Sequence, residues 1–177
     1  MKNILITGAG GMLGATIANK FKDKYNVFTT SRSKNINISI LNHLIFDLEI
    51  DEPQLLIDWS KPDIIIHCGA ITSIDYCESN KSHSRKVNLI FIQKLFKVTK
   101  KVKFIFISSD AVFSDSFSKD YFNNEQSLKN PLNYYGKLKL LGEEEIKKNS
   151  DYLIIRCTPV GLNMNSNKES FSEWIIN

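Results

Sequence analysis

At 177 residues, 42% of them apolar, the chain is long enough for one domain with a real core. The net charge of +4 comes from scattered lysines with no interleaved aromatics, which argues against a nucleic-acid surface. No apolar run approaches the ~18 residues of a membrane span, and the chain enters a strand at once with no leader, so a cytoplasmic protein without membrane contact is expected.

Strands are expected over Asn3–Thr7, Asn26–Thr30, Leu44–Asp47, Asp63–Cys68, Lys103–Ser108 and Tyr152–Arg156. Several are continuous apolar runs, as in strands covered on both faces. Between them, Leu13, Ile17 and Phe21 repeat at helical spacing, as do Val87, Phe91, Leu95 and Val98, and then Leu138, Leu141 and Ile146. Glu143 with Lys147, and Glu144 with Lys148, form i,i+4 pairs, and Glu143–Glu145 reads as a solvated helix face. Lys97, Lys100, Lys101 and Lys103 fall where a helix ends and oppose its dipole. This alternation predicts an α/β fold, a Rossmann-like doubly wound parallel sheet in three α/β/α layers. Asn35–Asn42 reads as a loop, and Ser114–Asn133 as a candidate flap on the substrate side.

The chemistry starts at Thr7-Gly8-Ala9-Gly10-Gly11-Met12-Leu13-Gly14, a strand turning through glycines into a helix. Gly8 permits the turn, Gly11 clears space for phosphates, and Gly14 lets the helix pack close. Met12 and Leu13 open that helix, whose amides face a pyrophosphate. The second strand ends Ser31-Arg32-Ser33-Lys34, with no acid to hold a ribose hydroxyl. Ser31 and the cations suit a 2′-phosphate, so NADP is favoured over NAD. Asp47-Leu48 is placed either to accept from an adenine amino group or to cap the next segment. Cys68-Gly69-Ala70 puts small residues where a cofactor crosses the strand ends.

Tyr135 and Lys139, four residues apart, share a helix face, and Ser109 ends the fifth strand. An ammonium lowers a phenol's proton affinity, so the trio suits proton transfer to or from a carbonyl oxygen, with Ser109 holding that oxygen. Tyr134 is out of register with Lys139 and reads as a packing or substrate-side residue. His43, His67 and His83 show no metal spacing, and no metal site is expected. Cys68, Cys77 and Cys157 read as buried thiols in a reducing compartment.

These residues resemble an extended short-chain dehydrogenase/reductase, most closely the dTDP-4-dehydrorhamnose reductase branch. The resemblance rests on Thr7–Gly14, on Ile71–Glu78 with its Thr72, Asp75 and Glu78, and on Val87-Asn88. It rests most on Asp110–Phe113 and on the run from Asn130 to Glu143. It implies an NADPH-dependent reductase of a nucleotide-linked 4-keto-6-deoxysugar. Tyr135 would be the proton donor, Lys139 would bind the nicotinamide ribose and tune Tyr135, and Ser109 would polarise the ketone. Asp110 and Glu125 would shape the substrate side. Ala111 stands where an aromatic is usual, and Pro159-Val160-Gly161 lacks the customary aromatic before its glycine. Residues 1–177 would form the NAD(P)-binding Rossmann domain, with the C-terminal substrate region absent. The same branch includes a non-catalytic regulatory subunit of methionine adenosyltransferase, and nucleotide-sugar epimerases and dehydratases share the fold. A homodimer is allowed but not specified by the sequence.

Overall fold

The computed structural model describes residues 1–33, 40–99, 101–113, 123–149, 151–164 and 171–176. Six parallel strands form one sheet in the order β3-β2-β1-β4-β5-β6. They are β1 (Asn3–Thr7), β2 (Asn26–Ser31), β3 (Asn42–Ile45), β4 (Ile64–His67), β5 (Lys103–Ser108) and β6 (Tyr152–Arg156). The order reverses between β1 and β4, so the carboxyl ends of these two strands frame the crevice where doubly wound sheets bind ligands. The doubly wound α/β fold expected from the alternation is the fold observed.

The central strands alternate between two cores. Leu5 and Ile65 join Phe46, Phe91, Phe104 and Phe106 in one, while Ile4, Ile6 and Ile66 pack with Ala9, Ala15 and Ala18 in the other. Both faces are therefore covered at the centre. At the edge, Leu153 and Ile155 of β6 are exposed, so coverage of both faces does not extend to that strand among the described residues. β3 begins two residues earlier than expected. Asn42 and His43 pair with Phe28 and Thr29, so the last residue of the expected loop starts the strand.

Helix α1 (Met12–Phe21) covers one face, and α2 (Gln54–Ser60) precedes β4. Two short helices, α3 (Ile74–Ser79) and α4 (Lys81–Arg85), lead through a π-helical turn over Lys86–Ile90 into α5 (Phe91–Val98). Helix α6 (Tyr134–Ile146) packs against β5, and α7 (Phe171–Ile176) follows β6. On α6, Leu138 and Ile146 are buried, but Leu141 is exposed. The surface pairs of α6 run i,i+3, Glu144 to Lys147 and Glu145 to Lys148, because Glu143 is turned inward. Lys34, Lys100, most of the Asn35–Asn42 segment and residues 114–122 of the Ser114–Asn133 segment lie outside the described residues. No described helix is long and apolar enough to cross a membrane.

Candidate active-site cleft

A cleft of about 1090 Å³ crosses the carboxyl edge of the sheet. Gly8, Gly11, Met12, Leu13 and Gly14 line it, followed along the edge by Ser31, Arg32, Asp47 and Leu48. Cys68, Gly69 and Ala70 form its middle, and Ser109, Tyr135 and Lys139 its far end. Apart from Lys34, which lies outside the described residues, the residues singled out for cofactor or proton transfer thus border one space. The sequence reading passed over Gly10, Thr30, Thr158 and Asn163, which border it too.

The near end is a backbone construction. Gly8 has φ +77, and a Cβ there would lie 2.6 Å from the Gly69 Cα. A side chain is excluded twice over, by conformation and by contact. At Gly14 a Cβ would come within 2.5 Å of the Gly8 carbonyl oxygen, so α1 presses directly on the turn. Gly11 is the N-cap of α1 and supplies no side-chain cap, leaving the first amides of the helix for a ligand. This cradle fits a pyrophosphate.

Beside it, Ser31 Oγ donates to the Ser33 carbonyl and lies 3.2 Å from His43 Nε2, while His43 Nδ1 pairs with Thr29 Oγ1 at 2.9 Å. This histidine braces the end of β2. Asp47 Oδ1 accepts from the Glu49 amide at 2.8 Å, so it caps the following turn while lining the cleft. Under the glycine turn, Thr7 Oγ1 pairs with His67 Nδ1 at 2.7 Å. The His67 ring is stacked on Phe91 and Phe106, and burial, helped by Lys139, pushes its pKa down to about 3, which keeps it neutral. The described residues contain no cluster of metal-binding side chains.

The far end is built from side chains. Asn133 caps α6 by accepting from the Gly136 amide, and Glu78 Oε1 accepts from the Tyr134 amide at 2.6 Å. Gly136 packs on the Ala111 carbonyl with no room for a Cβ. That closeness brings Tyr135 beside the 3₁₀ turn Asp110–Val112, whose N-cap is Ser109. Lys139, 4% exposed, donates from Nζ to the Ile107 carbonyl at 2.8 Å and lies 5.8 Å from the Tyr135 ring centroid. Burial pushes its pKa down to about 8.

The Tyr135 phenol departs from the sequence-based expectation. Burial pushes its pKa up to about 12, with the Ser109 hydroxyl opposing the shift. Lys139, pushed down to about 8, has already lost its proton where a phenol at about 12 titrates, so it does not offset that rise. All three cysteines are free, and burial pushes the Cys68 thiol up to about 12.

Glu143 corrects the reading of a solvated acidic face. It is fully buried and takes a two-point contact from Arg156, Nε to Oε1 at 2.7 Å and Nη2 to Oε2 at 2.6 Å. Ser108 Oγ donates to the same carboxylate at 2.6 Å. Burial works to raise the Glu143 pKa, but Arg156 and Ser108 outweigh it and hold the group below its usual range. Arg156 also reaches the Glu125 carbonyl at 3.0 Å. The network therefore joins β5, β6, α6 and the segment before α6.

A glycine turn under the first helix, with Tyr, Lys and Ser at the other end of the same cleft on a doubly wound parallel sheet, defines the class as a Rossmann-like α/β protein. Residues 1–175 match the model of the RmlD substrate binding domain, and the chain belongs to that family. It is 35% identical to methionine adenosyltransferase 2 subunit beta of Xenopus laevis over 181 aligned positions, 99% of this chain and 51% of that protein. It is 29% identical to the dTDP-4-dehydrorhamnose reductase of Burkholderia thailandensis, over 88% of this chain and 49% of that one. Among solved structures, a hypothetical dTDP-4-dehydrorhamnose reductase from Sulfolobus tokodaii superposes with a TM-score of 0.76 at 32% identity, covering 87% of this chain and 55% of its own. The Bacillus anthracis dTDP-4-dehydrorhamnose reductase, solved in complex with NADP, gives 0.71 at 28% identity, over 88% and 53%. The chain spans about half the length of the curated relatives it matches.

Proposed function

We propose that residues 1–177 form the NAD(P)-binding unit of a reductase that uses NADPH to reduce the keto group of a nucleotide-linked 4-keto-6-deoxysugar. The observation that carries this reading is the convergence of Tyr135, Lys139 and Ser109 on the cleft that the glycine turn opens. The turn would hold the pyrophosphate, Arg32 and Ser31 would hold the 2′-phosphate, and the small residues Cys68-Gly69-Ala70 would leave room for a dinucleotide at the strand ends. Bound nicotinamide supplies a hydride to the carbonyl carbon. Tyr135 gives its proton to the carbonyl oxygen, producing the alcohol. Lys139 holds the ribose hydroxyls and lends its charge to the phenolate left behind. A phenol at about 12 is a protonated donor throughout the neutral range. The Bacillus anthracis relative solved with NADP supports the choice of cofactor.

NADPH oxidation on addition of a dTDP-4-keto-6-deoxysugar tests the reading. Tyr135→Phe is expected to lower kcat by roughly 10²–10⁴-fold, the usual weight of a positioned general acid. Turnover that survives this change removes Tyr135 from the mechanism. Arg32→Asp is expected to raise KM for NADPH at least about tenfold, the worth of one charge-assisted hydrogen bond.

A second reading has its own support in the 35% identity to a methionine adenosyltransferase 2 subunit beta over 99% of the chain. On that reading the protein is a regulatory subunit that binds NADP without catalysis. Tight NADPH binding with no turnover of any 4-keto sugar nucleotide would favour it.

A further inference from the structure

We infer that Asp110 is a positioning residue for the reaction, acting on Tyr135 through Ser109. This rests on the reading of Tyr135 as the proton donor. Ser109 Oγ lies 2.8 Å from Asp110 Oδ1 and accepts from the Ala111 amide at 3.2 Å. A hydroxyl has one proton, and an ionised carboxylate can only accept, so the Ser109 proton belongs to Asp110. While Tyr135 is neutral, Ser109 therefore turns a lone pair, and not its proton, toward the cleft it shares with Tyr135, and its hydroxyl favours a phenolate there only by leaving Asp110. The Tyr135 hydroxyl can donate to that lone pair until a ketone oxygen takes its place. This revises the expectation that Ser109 polarises the ketone with its own proton.

Asp110 is held ionised for this task. Burial works to raise its pKa, but hydrogen bonds from the Thr158 and Ser109 hydroxyls and from the Ala111 amide outweigh it. Its negative charge also disfavours a phenolate at Tyr135. The other titratable groups facing that phenol are Cys77 from α3, Cys157 after β6, and Lys139 from α6. Lys139 is the cation of the set, and Asp110 is the carboxylate bonded to the serine beside Tyr135. The two act in opposition. Asp110 keeps the proton on the phenol before transfer, and Lys139 steadies the charge after it.

The test compares the unsubstituted chain with Asp110→Asn, Ser109→Ala and the double variant. Two readouts are used, kcat against pH and the midpoint of the Tyr135 ring signal. The latter comes from carbon-13 NMR of tyrosine-labelled protein saturated with NADP⁺, assigned by its loss in Tyr135→Phe. Asp110→Asn is expected to move both the alkaline fall of kcat and the Tyr135 midpoint to lower pH, by about 0.5 pH or more. It is expected to lower kcat about tenfold, a fraction of the general-acid effect, with KM for NADPH unchanged within about twofold. In a Ser109→Ala background the same change is expected to cost kcat little further. An unmoved midpoint would overturn the inference. So would an equal loss of kcat with and without Ser109, which would mean that Asp110 does not work through the serine. A chain with no turnover sinks the reductase reading, and the NMR midpoint still decides whether Asp110 sets the proton on Tyr135.

Discussion

On the β1–α1 side, the cleft is walled by main chain and small residues packed too closely to admit a Cβ at Gly8 or Gly14. On the β5–α6–β6 side, it is walled by side chains that include Lys139, 4% exposed, and Ser108, which bonds the fully buried Glu143 outside the lining. The first wall is rigid by steric exclusion and carries no group whose protonation changes. The second is held by ion pairing and hydrogen bonding, and its state depends on pH. A binding surface can be made of backbone, but a proton-transfer surface has to be made of side chains that burial has shifted.

The largest effect on cofactor affinity expected from breaking this contrast lies on the steric side. Gly8→Ala places a Cβ in a left-handed backbone and against Gly69, at a combined cost of about 3 kcal/mol or roughly 100-fold in NADPH affinity. Fluorescence titration with NADPH measures it, and an affinity within a few-fold of the parent would show that the turn is not tight. On the charged side, Glu143→Gln leaves Arg156 partly buried without its anion. Urea unfolding is expected to show a loss of about 3–5 kcal/mol, partly recovered by adding Arg156→Met. A loss no larger than that from Lys148→Ala would place the pair among surface salt bridges.

The smallest effect sharpens the comparison and has the opposite sign. Lys139 titrates near 8 in the folded chain against the usual 10.5, so between those values the unfolded chain binds more protons. Folded stability therefore rises with pH across that window, and below it the buried ammonium carries its full cost. Lys139→Met is expected to stabilise the cofactor-free protein by about 1–3 kcal/mol at pH 7 and to remove that pH slope, while abolishing turnover. Melting curves at pH 7 and 10 check it. A lower Tm at pH 7 would mean that the Ile107 contact outweighs desolvation.

The backbone wall was almost wholly legible in the sequence, and the charged wall only partly. Glycines at positions 8, 11 and 14 after an apolar run admit few structures, so both turn and fold followed from residue type. Tyr135 and Lys139 were found because a four-residue spacing fixes a shared face. The same spacing carried one step further reaches Glu143, which was assigned to solvent because Glu144 and Glu145 beside it are surface groups. Its partner Arg156 lies in another strand, a contact that tertiary packing alone creates. The start of β3 was missed because Asn42 and His43 are poor strand formers that the edge of the sheet recruits through Thr29 and Ser31. The direction of the Tyr135 shift is not legible because spacing places an ammonium on the same face but does not convey how deeply the fold buries the phenol.

The sheet order has a consequence for how the polypeptide reaches this shape. β1 lies between β2 and β4, and its register with β4 sets Ile4 opposite Ile64. The strand that bears the glycine turn is thus synthesised first and fully flanked only after three further strands have been made. Closing so distant a pairing costs chain entropy before any contact repays it, which makes assembly of the β1–β4 seam the slow step of folding. Substitutions along that seam should retard refolding, while changes at β3 should mainly hasten unfolding.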